Sequence, residues 1–87
     1  EFSQNSYHEV SLPILAILHH AISTKAKGVI IIHNHPSDNL EPSEMDRYAT
    51  KKLKEKLKLA DVTLMDSLIV SNGGYYSFRE EKEAVLI

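Results

Sequence analysis

The chain of 87 residues contains no cysteine. That absence excludes both a disulfide scaffold and a thiolate-ligated metal site. Any bound metal must therefore be held by imidazole and carboxylate. Glycine and proline are scarce, at three residues each, and no Gly/Ser linker, internal repeat or low-complexity tract interrupts the chain. A single domain over residues 1–87 is expected. The longest apolar run, Gly28 to Ile32, is far too short to span a bilayer. No charged-apolar-small leader pattern opens the chain, so the cytoplasm is the expected compartment. Basic charge is not in excess either: ten Lys and Arg stand against twelve Asp and Glu, for a net charge of -2. That excludes a broad basic footprint for nucleic acid and leaves only a locally basic face. What remains, 43% apolar and 25% charged, is ordinary for a soluble globular domain.

The apolar residues have two periods. Ile14, Ile17, Leu18, Ala21 and Ile22 fall on one helical face, with Ser11 as the expected N-cap and Pro13 tolerated in the first turn. Gly28-Val-Ile-Ile-Ile32 is a continuous β-branched run, as expected of a strand covered on both faces. Asp38 to Pro42 reads as loop. A second helix is expected from Ser43 to about Ala60, burying Ala49, Leu53, Leu57 and Ala60, with Lys51, Lys52, Lys54, Lys56 and Lys58 on its wet faces. Asp61 to Ser71 forms a second strand. Asn72-Gly-Gly74 turns the chain into Tyr75-Tyr-Ser-Phe78, whose aromatics are expected to serve core and cross-strand packing. Val85 to Ile87 adds a last short element. The result is an α/β domain, a mixed β-sheet flanked by helices. Its sheet needs more strands than this sequence supplies, so N-terminal strands are expected to be missing, to be completed by a longer parent chain or a homodimer.

The chemistry gathers at the end of the first strand. On extended backbone, residues two apart point to the same side, so His33 and His35 present two imidazoles to one point. Asp46, thirteen residues beyond His33, lies in the first turn of the second helix, and the loop between is long enough to bring its carboxylate back. Two His and one Asp leave a fourth tetrahedral position open, the arrangement of a catalytic rather than a structural zinc site. Blander roles compete. Ser43-x-x-Asp46 also fits a helix capping pair, and an acidic residue in a first turn suits the helix dipole. His33 and His35 alone also fit partly buried histidines at a strand end. Capping leaves the His pair unexplained, and Ser43 can begin the helix while its hydroxyl faces a metal site.

Taken together, His33-x-His35, seven residues, Ser43, two residues, Asp46 resembles the H-x-H-x(7)-S-x(2)-D signature of the JAMM (JAB/MPN+) metalloproteases. The strings HNHPS, PS-x-x-D, LKLADVTLMDSLIV and NGGYYSF resemble the bacterial RadC branch of that fold, over Val10 to about Phe78. The resemblance implies the JAB/MPN (cytidine-deaminase-like) fold. It also implies zinc on His33, His35 and Asp46, Ser43 stabilising a tetrahedral oxyanion, and a Glu from an earlier strand as general base. Three positions depart from the pattern. Asp38 stands where Gly is usual, and Ser67 follows Asp66 where His is usual. The base belongs to a strand ending near or before the start of this chain. That makes Glu1 the positional candidate, whereas Glu9 lies too near the first helix and reads as a solvated charge.

The activity so implied is zinc-dependent hydrolysis of an amide or isopeptide bond in a peptide substrate. The rival expectation is a non-catalytic metal-binding or DNA- or protein-interaction module of the same fold, in the DNA-repair context attached to the RadC name. His8 has no visible partner, and His19 and His20 are expected to face solvent on the first helix.

Overall fold

The computed structural model describes residues 12–35 and 39–86. Glu1, His8, Glu9, Ser11, Asp38 and Ile87 lie outside them. The chain runs as helix α1 (Ile14–Ser23), strand β1 (Gly28–Asn34), helix α2 (Glu44–Leu59), strand β2 (Thr63–Ser71) and strand β3 (Gly74–Ser77), then a 3-10 turn at Ala84–Leu86. The sheet order is β1-β2-β3, with β1 and β2 parallel and β2 and β3 antiparallel. The sheet is thus mixed, and α2 is the crossover that two adjacent parallel strands require. No helix among the described residues is long and apolar enough to cross a membrane.

The core lies between α2 and the sheet face that carries Ile31 and Ile69, and α1 packs against α2. Leu53, Leu57, Ile69 and Phe78 have no exposed surface, and Ile17 and Ala21 supply the contribution of α1. The expectation for α1 is corrected at its start: Pro13 occupies the N-cap position with no side-chain cap. Ile22 is exposed rather than buried, because only a narrow strip of α1 meets α2.

Two further corrections bear on the site. The buried stripe of α2 is Asp46, Thr50, Leu53 and Leu57, while Ala49 and Ala60 are only half-buried. The helix is therefore turned so that its first two turns bury polar side chains, which a search for apolar periodicity passes over. Among the described residues, strand β1 is covered on one face only. Ile31 is 8% exposed, but Ile30 and Ile32 are 54% and 60% exposed, since no described element packs on their side. Tyr75, expected in packing, is also exposed and donates to Glu80 at 2.9 Å. Tyr76 and Phe78 do pack, edge to face at 5.9 Å.

Turn chemistry sets the connections. After Asn72-Gly73 the left-handed backbone falls on Gly74, at φ 146°, a conformation that a side chain disfavours. Both helices end in Schellman motifs. Ala26 N–H donates to Ala21 O and Lys25 N–H to Ile22 O, while Val62 N–H donates to Leu57 O and Asp61 N–H to Lys58 O. The residues at the left-handed positions are Lys25 (φ 57°) and Asp61 (φ 64°), where glycine is the usual choice. The second motif folds Val62 onto Leu57, both buried, and delivers the chain into β2.

Candidate metal centre

Strand β1 carries His33 on the face turned towards α2 and ends one residue before His35. His35 stays aligned with the sheet because its N–H donates to Val70 O at 3.3 Å. From the other side, the start of α2 brings in Asp46. Ser43 is the N-cap, and a full capping box closes there. Asp46 N–H donates to Ser43 Oγ at 3.0 Å, and Ser43 N–H donates back to Asp46 Oδ2 at 2.8 Å. The capping role of Ser43 and Asp46 is thus present, and the cap aims the Asp46 carboxylate towards His33 and His35. The cap is made by the Ser43 hydroxyl oxygen itself, not by its backbone alone. Its O–H hydrogen can still donate elsewhere, since a hydroxyl has one donor and two acceptor sites.

The two oxygens of Asp46 have separate tasks. Oδ2 is committed to the cap and lies 3.0 Å from His35 Nε2. Oδ1 is 3.7 Å from His33 Nε2, and both of these atoms are buried without a hydrogen-bond partner. An unpartnered buried carboxylate oxygen facing an unpartnered buried imidazole nitrogen is costly unless something positive joins them. Two ligands at about 2.0–2.1 Å from one zinc ion sit about 3.3–3.4 Å apart at the tetrahedral angle. The observed 3.7 Å is a small side-chain movement from that.

His35 makes the same demand. Its Nδ1 lies 2.9 Å from Asn39 O, and a carbonyl only accepts, so Nδ1 carries the proton. In the neutral ring, Nε2 then presents a lone pair to Asp46 Oδ2. Two acceptors at 3.0 Å need a positive centre, either a proton or a metal ion. The Nδ1–H···O=C contact is also the orientation that metal-ligating histidines adopt.

Burial pushes the Asp46 carboxyl up, but the His33 imidazole and the hydrogen bonds of Ser43 pull it down further, well below the usual carboxylate range. The carboxylate is therefore charged and ready to ligate. His33, His35 and Asp46 offer one ligand atom each, all within 4.8 Å of one another, a group that can hold a metal ion.

Glu1, the positional candidate for a general base, is outside the described residues. Sequence reasoning missed two partners. Asn39 orients His35 through its carbonyl, while its side chain accepts from Glu41 N–H at 3.0 Å; the Asn-x-Glu turn was the available signal. Thr50 donates to Asp46 O at 2.8 Å from a fully buried position, and no spacing rule announces it. His19 and His20 lie on exposed positions of α1, away from this centre.

The RadC-like JAB domain family matches residues 1–83. A UPF0758 protein of Streptococcus suis is 47% identical over 70 residues, covering 80% of this chain and 28% of that protein. A UPF0758 protein of Thermotoga maritima is 51% identical over 63 residues, covering 72% and 28%. One from Lactococcus lactis subsp. lactis is 44% identical over 66 residues, covering 76% and 29%. The chain spans little more than a quarter of the length of these curated relatives.

Proposed function

The chain belongs to the RadC-like JAB domain family, and from that premise we propose that it is a zinc-dependent hydrolase of amide or isopeptide bonds. The observation that carries this reading is the buried pair His33 Nε2 and Asp46 Oδ1, two ligand atoms without partners inside a His-His-Asp cluster. Zinc is favoured among divalent ions by two imidazoles and one carboxylate in a small tetrahedral set.

A bound zinc ion supplies a Lewis acid for the scissile carbonyl and lowers the pKa of a water towards neutrality. His33 and His35 would hold it through Nε2 and Asp46 through Oδ1. The protein's own groups do the rest. The capping box and Asn39 hold two of the three ligands in place before substrate arrives, so little reorganisation accompanies the reaction. Ser43 lies beside Asp46 with its O–H hydrogen uncommitted to the cap, and donates it to the carbonyl oxygen as negative charge develops there. A carboxylate, assigned to Glu1, carries the proton from the attacking water to the leaving amine, a role typically worth 10²–10⁴-fold.

The test is amine release from a panel of fluorogenic peptide and isopeptide-linked substrates by zinc-reconstituted protein. Cleavage should disappear on chelation and in Asp46→Asn. Protein that holds zinc stoichiometrically but cleaves no member of the panel would overturn the hydrolase reading.

A further inference from the structure

Four buried side-chain atoms among the described residues have no hydrogen-bond partner: His33 Nδ1, His33 Nε2, Asp46 Oδ1 and Ser67 Oγ. A metal ion accounts for the second and third and leaves His33 Nδ1 and Ser67 Oγ. These two are not scattered. In the parallel register His33 pairs with Ile69 and Ile31 with Ser67, so Ser67 sits on the neighbouring strand, on the same face as His33, two residues deeper into the core. Ser67 has no exposed surface. Its partner must therefore be found inside, and the imidazole needs one there too. A ligating histidine donates its other ring N–H to an acceptor, which fixes its tautomer and its angle. His35 has Asn39 O for this, whereas His33 Nδ1 has no hydrogen-bond partner among the described residues.

We propose that Ser67 is the positioning residue for His33, receiving its Nδ1–H through one ordered water that bridges the ring and the Ser67 hydroxyl. Two buried polar groups facing one interior, too far apart to bond directly, are the setting in which a structural water is retained. The water accepts from Nδ1–H and donates to Ser67 Oγ. The proton then stays on Nδ1, and Nε2, on the side of Asp46, is left as the atom available to a metal ion. The consequence rests on the metal-site reading, but the hydrogen bond itself belongs to the metal-free protein and is tested there.

The experiment is long-range ¹H–¹⁵N correlation of the imidazoles in metal-free protein, together with zinc affinity by chelator competition, for wild type and Ser67→Ala. In wild type, His33 Nδ1 should carry a proton that is protected from exchange. In Ser67→Ala the protection should be lost and zinc should bind about 10-fold more weakly, the low end for loss of such a partner. Ser67→Thr, which keeps the hydroxyl, should recover both. If Ser67→Ala does not fold, Ser67→Cys substitutes a similar shape with a weak hydrogen-bonding group and gives the same readout. An unchanged His33 spectrum in the folded variant overturns the proposal whatever happens to affinity. Failure of wild type to take up zinc overturns the metal reading, while the metal-free spectra still decide this one.

Discussion

Asp46 joins local helix chemistry to the candidate site, and its two oxygens allow the two roles to be separated by substitution. Replacing Ser43 by alanine removes the acceptor for Asp46 N–H and should cost about 1 kcal/mol of stability in metal-free protein, measured by urea denaturation. Glycine at the same position should cost only a few tenths of a kcal/mol, yet it also removes the O–H donor. Ser43→Gly therefore distinguishes the roles: near-normal stability with amide hydrolysis reduced about 10²–10³-fold. Normal turnover in Ser43→Gly would assign Ser43 to capping alone. At this scale much was legible. His33, His35, Ser43 and Asp46 stand at spacings that announce convergence. Ring orientation was legible only as a turn at Asn39-x-Glu41, because Asn39 reaches His35 through a carbonyl and every residue has one.

At the scale of elements, both helices stop at residues that pay for a left-handed backbone. Lys25 sits at φ 57° with its N–H and that of Ala26 closing the end of α1. A side chain in that region costs roughly 1–2 kcal/mol relative to glycine, partly offset by the greater chain entropy of glycine when unfolded. Lys25→Gly should raise stability by about 0.5–1 kcal/mol, visible as a higher denaturation midpoint with unchanged slope. A fall in stability would show that Lys25 contributes something beyond the turn. Helix and strand positions were legible from apolar period because Leu53, Leu57 and Ile31 are buried as the pattern requires. The rotation of α2 was not legible, since the stripe continues through Thr50 and Asp46, whose burial depends on hydrogen bonds. Nor was the exposure of Ile30 and Ile32, because a β-branched run reports the capacity to be covered and not what covers it.

At the scale of the whole molecule, the segment after β3 is tied back to the start of α2. Arg47 donates to both oxygens of Glu83, at 2.9 and 3.2 Å, and to Pro42 O at 3.3 Å. Tyr76 donates its hydroxyl to Glu83, and Lys54 donates to Val85 O at 2.8 Å. Lys54, expected on a wet face, thus serves as a tether. The Arg47 hydrogen bonds hold the Glu83 carboxyl below its ordinary value of 4.5, while burial, together with Glu83, pushes the Tyr76 phenol up to about 12. A carboxylate lowered in the fold adds stability that is present above its unfolded value and lost as pH falls through its folded one. Glu83→Gln should therefore be less stable than wild type at pH 7, and that difference should shrink by pH 3. A difference independent of pH would mean that the Glu83 charge contributes nothing.

The tether, the capping box and the β1–α2–β2 crossover together bring His33, His35 and Asp46 to one point, which we propose binds one zinc ion. The most direct measurement is titration of metal-free protein with zinc against a competing chelator, in wild type and in His35→Ala. We predict one tightly bound zinc per chain in wild type and loss of that site in the variant. Folded wild-type protein that takes up no zinc at neutral pH, or a His35→Ala variant that binds it equally well, would show that His33, His35 and Asp46 do not form a zinc site.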